Sequence, residues 1–208
     1  MKYFPESGRT ANKKGCHMEK KTDRRIRKTK AQLRAGLSKL MQQKSIKEIT
    51  VKELVEEVDI NRSTFYLHYT DIYHMLETIE NELRDEILKV IEEHPASPRE
   101  NGGFPFIEDI FLILWENRDI CSALLGSNGD MSFVRQIENI IAEHSLNMRV
   151  AADRKDEKDR SYSYAFCLTG CVGLIKAWLD SDDGETPHQM ADLTSRLVTN
   201  ALKGVQPV

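Results

Sequence analysis

The chain has 208 residues, 40% of them hydrophobic, and a formal net charge of −3. This length and composition fit one or two compact domains and exclude a low-complexity chain. No apolar run approaches the roughly 18 to 20 residues of a membrane span, and the basic, polar N-terminus lacks the apolar middle of a signal peptide, so we expect a cytoplasmic protein with no membrane partner.

The charge is unevenly distributed along the chain. Residues 1–70 contain 17 Lys and Arg against 8 Asp and Glu, whereas residues 71–208 contain 13 against 25. A basic first third is expected of a module that binds phosphate groups, and the acidic remainder argues against a second nucleic-acid surface there. For the acidic part we adopt the simpler explanation, that its charges lie on solvated helix faces.

Residues 1–21 mix Pro, Gly, Ser and Lys without periodicity, which predicts a disordered arm, and Met18 is an alternative translation start. A first helix is predicted from about residue 24 to residue 43, because apolar residues recur there at helical spacing. This stripe consists of Ile26, Leu33, Leu37, Leu40 and Met41.

A helix-turn-helix is predicted in residues 50–69. Thr50 and Glu53 have the spacing of a capping box at the start of a short helix. The run Asp59-Ile60-Asn61 then ends that helix, because Asp and Asn adopt left-handed conformations more readily than other non-glycine residues. Asn61 can also cap the second helix, which we expect from Arg62 to about residue 69.

The outward face of this second helix suits a DNA major groove. With Phe65 and Tyr69 turned inward, the polar residues at its start are candidates for contacts with base edges, while Thr50, Lys52 and the basic cluster of the first helix would hold the phosphate backbone. His68 fits a contact with DNA and a contact with a neighbouring helix equally well. The predicted DNA-binding residues are Arg25, Lys28, Thr50, Lys52, Arg62, Ser63, Thr64, Tyr66 and His68.

The segment STFYLHYTD at residues 63–71 resembles the recognition helix of the TetR family of bacterial regulators. The preceding helix and the link from Ser45 to Val51 extend this resemblance to about fifty residues. Three positions depart from the family pattern, with Asp59 in place of Gly, Val55 and Val58 in place of Ala, and Ile72 in place of Lys. The resemblance implies that Tyr66 donates to a phosphate.

All remaining segments are also predicted as helices, so the fold class is all-α. We expect a three-helix, helix-turn-helix DNA-binding domain at residues 22–70 and a helical ligand-binding and dimerisation domain at residues 71–208. A long helix capped by Asp71 joins the two. Aromatic and apolar residues of the second domain either form its core, which is the commoner case, or line a ligand pocket. The predicted pocket residues are Phe104, Phe111, Trp115, Phe133, Ile137 and Tyr164.

Residues 162–179 are apolar nearly all the way round a helix, which predicts cover on more than one side, from the chain itself and from a partner. With the amphipathic last helix, this ending resembles the C-terminal pair of TetR-like regulators, which implies a homodimer through a four-helix bundle. A buried core helix of a monomer is the alternative. The predicted dimer interface contains Gly170, Gly173, Ile175, Trp178, Leu193 and Leu197.

No sequence motif of an enzyme is present, since the chain has no glycine-rich phosphate loop, no H-E-x-x-H and no G-x-S-x-G. We therefore predict a bacterial transcriptional repressor, not an enzyme, that binds palindromic double-stranded DNA as a homodimer and is released by a small-molecule effector. The alternative is a TetR-like coactivator or protein-interaction module that does not bind operator DNA itself.

The four cysteines show no C-x-x-C spacing and are predicted to stay reduced. Cys167 and Cys171 lie four residues apart on a helix, where they could meet as a redox or metal pair or serve as small packing residues. Packing is the favoured interpretation, and neither a metal nor a cofactor is predicted.

Overall fold

A computed structural model describes residues 13–94, 105–129, 131–149, 157–181 and 184–203. These residues form nine α-helices and one short 3-10 helix, and they contain no strand. The all-α prediction is therefore confirmed. The helices are α1 (Lys13–Gln43), the 3-10 helix (Ile46–Glu48), α2 (Val51–Glu57), α3 (Arg62–Tyr66), α4 (Ile72–Glu93), α5 (Pro105–Glu116), α6 (Arg118–Leu125), α7 (Met131–Arg149), α8 (Glu157–Asp180) and α9 (Pro187–Lys203).

Helix α1 begins at Lys13, earlier than the sequence analysis predicted. Residues 13–21, which we assigned to a disordered arm, are helical, and residues 1–12 of that arm lie outside the described residues. Met, Glu and Lys are good helix formers, which favours extension of the helix through the HMEKK stretch. Ile26 was predicted to lie in the apolar stripe but is 39% exposed. The other residues of the stripe are buried, namely Leu33, Leu37, Leu40 and Met41.

The turn between α2 and α3 is fixed by local hydrogen bonds and one left-handed residue. The Thr50 hydroxyl caps α2 by accepting from the backbone N–H of Glu53, and the Asn61 side chain caps α3 by accepting from that of Ser63. Asp59 has φ of 51°, the left-handed conformation that the sequence indicated. The chain therefore turns from α2 into α3 within the four residues 58–61.

Helix α4 joins the two halves of the molecule. Asp71 caps it by accepting from the backbone N–H of His74 at 2.8 Å. Its buried stripe begins at Ile72, next to the helix-turn-helix, and continues to Ile91. Residues of α4 from Ile72 to Leu83 belong to one hydrophobic core that includes residues of both halves. Among the described residues, no helix is long and apolar enough to cross a membrane.

Candidate nucleic-acid interface

Two aromatic side chains hold α3 on the body of the N-terminal domain. Phe65 is fully buried and Tyr69 is 5% exposed, with 5.7 Å between their ring centroids. Burial raises the pKa of the Tyr69 phenol, and the nearby Glu82 carboxylate raises it further. Because both rings point inward, the other side of the short helix faces solvent.

Helix α3 is shorter than predicted, ending at Tyr66 instead of at about residue 69. The backbone N–H groups of His68 and Tyr69 both donate to the carbonyl of Phe65, which closes the helix in a tight final turn. Arg62 and Ser63 are exposed, while Thr64 and His68 are half-buried. The helix is only 5 residues long, about one and a half turns.

The structure identifies one candidate residue that the sequence analysis missed. Leu67 directly follows α3 and is 79% exposed, beside Tyr66 at 48%. An exposed leucine next to a DNA-reading helix can make an apolar contact with a thymine methyl group. Helical periodicity places Leu67 outward, because it lies two residues after the buried Phe65 and therefore on the opposite side of the helix. The sequence analysis considered only residues with a polar group on that side.

Arg62 and Tyr66 form a pair on the exposed face of α3. The Nη2 and Nε groups of Arg62 donate to the Tyr66 hydroxyl at 2.9 and 3.3 Å, and the guanidinium lies 5.5 Å from the ring centroid. The pair fixes the orientation of both side chains before any ligand arrives. Two predicted DNA-binding residues are thus brought together.

Other predicted DNA-binding residues surround α3 on the basic domain. Arg25 and Lys28 are exposed on α1, and Lys52 is exposed on α2 with Glu56 at 3.9 Å. The Thr50 hydroxyl is used as the α2 cap. Glu53, the expected capping-box partner of Thr50, instead pairs with Lys44. Its carboxylate therefore ties α2 to the end of α1 rather than to its own cap.

Several contacts connect this domain to the C-terminal helices. Lys30 and Arg34 of α1 lie 3.7 and 3.8 Å from the Glu82 carboxylate of α4. The Asn128 side-chain amide, after α6, donates to the Gln42 carbonyl at 3.4 Å. Helix α1 is thus linked to two elements of the C-terminal helices, α4 and the segment after α6.

The predicted pocket residues divide into core and surface. Phe111 and Phe133 are 1% and 6% exposed and belong to the hydrophobic core, and Ile137 packs against it. Phe104 lies outside the described residues, as does the side chain of Tyr164. Trp115 is 40% exposed and lines an open cleft of about 280 Å³.

This cleft lies between α1 and the turn joining α5 to α6. One wall carries Ala31, Arg34, Ala35 and Ser38 of α1, and the other is formed by residues 115–120. Two alanines, where larger side chains would fill the space, leave the gap open. The guanidinium of Arg118 lies 5.1 Å from the Trp115 ring centroid, so the second wall presents both an aromatic ring and a charge.

One predicted dimer residue requires correction. Trp178 is 4% exposed, packs against Phe111 and Trp115, and donates its indole N–H to the Glu185 carbonyl at 2.9 Å. It belongs to the chain's own core, because the helix face on which it lies is covered by α5. The apolar sequence of α8 could not indicate which face its own chain would cover.

The remaining predicted dimer residues lie at or near the surface of α8 and α9. Gly170 and Gly173 are exposed, and a Cβ at either would meet nothing within 4 Å. Leu197 is 52% exposed, while Ile175 and Leu193 are half-buried against the core. Tyr162 and Phe166, at 75% and 71% exposure, extend the same face of α8.

Comparison with known proteins agrees with this architecture. Residues 104–200 match the family model described as a transcriptional regulator C-terminal region. An uncharacterised HTH-type transcriptional regulator of Bacillus subtilis (strain 168) is 20% identical over 176 residues, which cover 81% of this chain and 44% of that protein. The chain thus spans less than half the length of this curated relative.

Three solved structures share the fold. A TetR transcriptional regulator from Streptococcus agalactiae 2603V is 20% identical, with a TM-score of 0.54 over 86% of this chain and 97% of its own. A tetR-family regulator from Streptomyces coelicolor is 16% identical, with a TM-score of 0.58 over 84% and 81%. The dihydroxyacetone kinase operon activator DhaS is also 16% identical, with a TM-score of 0.50 over 86% and 96%.

Proposed function

Because the chain belongs to the TetR family of transcriptional regulators, we propose that it is a repressor that binds operator DNA through α3. This family consists of regulators and not of enzymes. The observation that carries the proposal is the exposed face of α3, where Arg62, Ser63 and Tyr66 point to solvent, in a domain whose first helix exposes Arg25 and Lys28. Such a face combines contacts to base edges with contacts to phosphates.

We propose that two copies bind together at a palindromic site. The motivation is the outer face of α8, where Tyr162 and Phe166 are largely exposed and the two glycines leave room for close helix approach. Leu197 of α9 continues this apolar face. A two-fold dimer formed there would present two identical recognition helices to two half-sites.

DNA binding is tested by fluorescence anisotropy against a library of genomic fragments, followed by salt titration on the best fragment. With ~4 to 8 phosphate contacts in the dimer, log affinity should fall with log salt at a slope on the order of −4 to −7. If the protein binds none of the fragments, the result would favour the alternative of a coactivator that does not bind operator DNA itself.

Two substitutions separate base reading from backbone contact. Thr64→Ala should lose ~1 to 3 kcal/mol of discrimination between the operator and a variant site. Thr64 is half-buried next to the exposed Ser63 of α3, where its hydroxyl is proposed to contact a base edge. Lys28→Ala should weaken binding to all sequences about equally and make the salt slope shallower by about 1. If Thr64→Ala and Lys28→Ala have the same effect on discrimination between the two sites, the assignment of α3 as the helix that contacts base edges would be contradicted.

We further propose that the cleft between α1 and the α5–α6 turn receives the small-molecule effector. Its position supports this proposal, since a ligand there would contact α1, which carries the DNA-binding domain, and α6 of the body. A ligand that binds better to a conformation with a wider cleft than to the DNA-binding conformation needs only ~1 to 3 kcal/mol of coupling free energy. Such a coupling would weaken DNA binding about 5- to 150-fold.

The cleft is tested by filling it. Ala35 is exposed on the cleft wall, so Ala35→Leu should occupy the space without disturbing the core. Gln32→Leu, at an exposed neighbouring position that does not line the cleft, is the matched control. Effectors from a metabolite screen should raise the melting temperature of the control and lose that effect in Ala35→Leu, while an unchanged response would place the effector elsewhere.

A further inference from the structure

A groove between α8 and α9 brings together two thiols and an unpaired hydroxyl. The groove has a volume of about 170 Å³ and is otherwise apolar, with Phe166, Leu174 and Leu197 among its walls. Cys167 and Cys171 both line it and are both free thiols. The Thr194 side chain also lines it, is 4% exposed, and its hydroxyl oxygen has no hydrogen-bond partner.

The two thiols are close neighbours but are poorly placed to form a disulfide with each other. Side chains four residues apart on a helix have Cβ atoms about 5 to 6 Å apart, whereas a disulfide requires about 3.5 to 4.5 Å. Oxidation of this pair would therefore require local unwinding of α8. Burial raises the pKa of both thiols, that of Cys171 to about 11 with a contribution from Cys167. Both thiols are therefore protonated at neutral pH, so they react slowly with oxidants, and each must release a proton before it can bind a metal ion.

The same spacing suits an ion held between two sulfurs. A metal–thiolate bond of about 2.3 Å, the length found for zinc, places the sulfurs of a linear site roughly 4.6 Å apart. The helix separation of the two Cβ atoms accommodates that span without unwinding. Among the described residues no cluster of three or more His, Cys, Asp or Glu could hold a metal. The site therefore suits a metal ion that is stable with two ligands, and it does not suit zinc, which is usually bound by four.

We propose that Cys167 and Cys171 form a two-thiolate site for a soft monovalent ion, Cu(I) or its chemical analogue Ag(I). Thiolates select soft ions, and apolar walls disfavour strongly hydrated ones such as Mg²⁺ or Ca²⁺. On binding, two S–H bonds break, two metal–sulfur bonds form and two protons leave to solvent, with no change in oxidation state. The Thr194 hydroxyl can then donate a hydrogen bond to one of the thiolates, which would satisfy its unpaired group.

The site is tested with the full chain under anaerobic conditions. Cu(I) is titrated in competition with a chromophoric Cu(I) chelator, and Ag(I) titration by calorimetry serves as a redox-stable check. We expect one ion per protomer and at least ~100-fold weaker binding in both Cys167→Ser and Cys171→Ser. The matched controls are Cys121→Ala, a buried thiol on α6, and Cys16→Ser, and both should bind as the wild type does.

Ion binding that survives loss of either groove cysteine, or that disappears in a control variant, would overturn the proposal. Two single variants keep the test decisive, because each removes one of the two sulfur ligands and circular dichroism establishes which variant is folded. The measurement requires no DNA. Its failure would therefore leave the operator-binding proposal intact, and a failure of DNA binding would not affect the ion site.

Discussion

Arg62 lies against Tyr66 one turn further along α3, with its guanidinium 5.5 Å from the ring centroid and its Nη2 donating to the hydroxyl at 2.9 Å. Both side chains are exposed, so neither is held by the core. Each restricts the other's rotamers, so the pair would enter the proposed DNA complex already ordered. Less conformational entropy is then lost on binding than two free side chains would lose.

This pairing predicts that the two residues contribute to DNA affinity as a unit. Tyr66→Phe removes the acceptor for Arg62 and the proposed donor to a phosphate. Loss of the hydrogen bond to the phosphate should weaken binding about 2- to 12-fold, corresponding to ~0.5 to 1.5 kcal/mol. In a double-mutant cycle with Arg62→Ala, the losses should be non-additive by at least ~0.5 kcal/mol. Strictly additive losses, measured by anisotropy on one operator, would show that the pair is not retained on DNA.

Local features of the fold were predictable from the sequence, whereas burial was predictable only in part. The caps at Thr50, Asn61 and Asp71 depend on residues two or three positions away, so their spacing alone identifies them. The sides of a helix that become covered depend on distant segments. Trp178 was therefore assigned to an interface, although α5 buries it within the chain.

The left-handed conformation of Asp59 gives a stability prediction. At φ of 51°, a β-branched residue is strained, so Asp59→Val should lower the free energy of unfolding by ~1 to 2 kcal/mol. Asp59→Asn is the matched control, because Asn tolerates this conformation and should leave stability nearly unchanged. Urea unfolding followed by circular dichroism gives both values, and equal stabilities for the two variants would argue against the left-handed turn.

Trp178 and Leu197 should respond differently to substitution, although the sequence placed both at the dimer interface. Trp178→Phe removes a buried indole N–H and leaves the Glu185 carbonyl without its donor, which should lower the free energy of unfolding by ~1 to 3 kcal/mol. The assembly should be unaffected. Leu197→Asp changes a half-exposed residue and should instead shift the chain from dimer to monomer in sedimentation.

These two outcomes check each other. If Trp178→Phe dissociates the dimer without loss of thermal stability, the original assignment of Trp178 to the dimer interface would be supported. A Leu197→Asp protein that sediments as the wild type does would exclude this part of α9 from the dimer contact. Thermal melts and sedimentation on the same samples distinguish the cases.

Cys121 predicts a specific loss of stability at alkaline pH. Burial is the main cause that raises the pKa of its thiol from 9.0 to about 12. Above pH 9 the unfolded chain releases this proton while the folded chain retains it, so the unfolded state binds fewer protons and stability falls as pH rises. The thiol's contribution is fully present below pH 9 and is lost progressively up to about pH 12.

The comparison with Cys121→Ala isolates this effect, because other groups titrate equally in both proteins. The difference in unfolding free energy between wild type and variant should be constant from pH 7 to 8.5. Between pH 9 and 10.5 it should shrink by about 2 kcal/mol, at ~1.4 kcal/mol per pH unit for one group. Urea titrations at each pH measure the difference. A difference independent of pH would mean that the thiol is accessible to water in the folded protein, contrary to its 2% exposure.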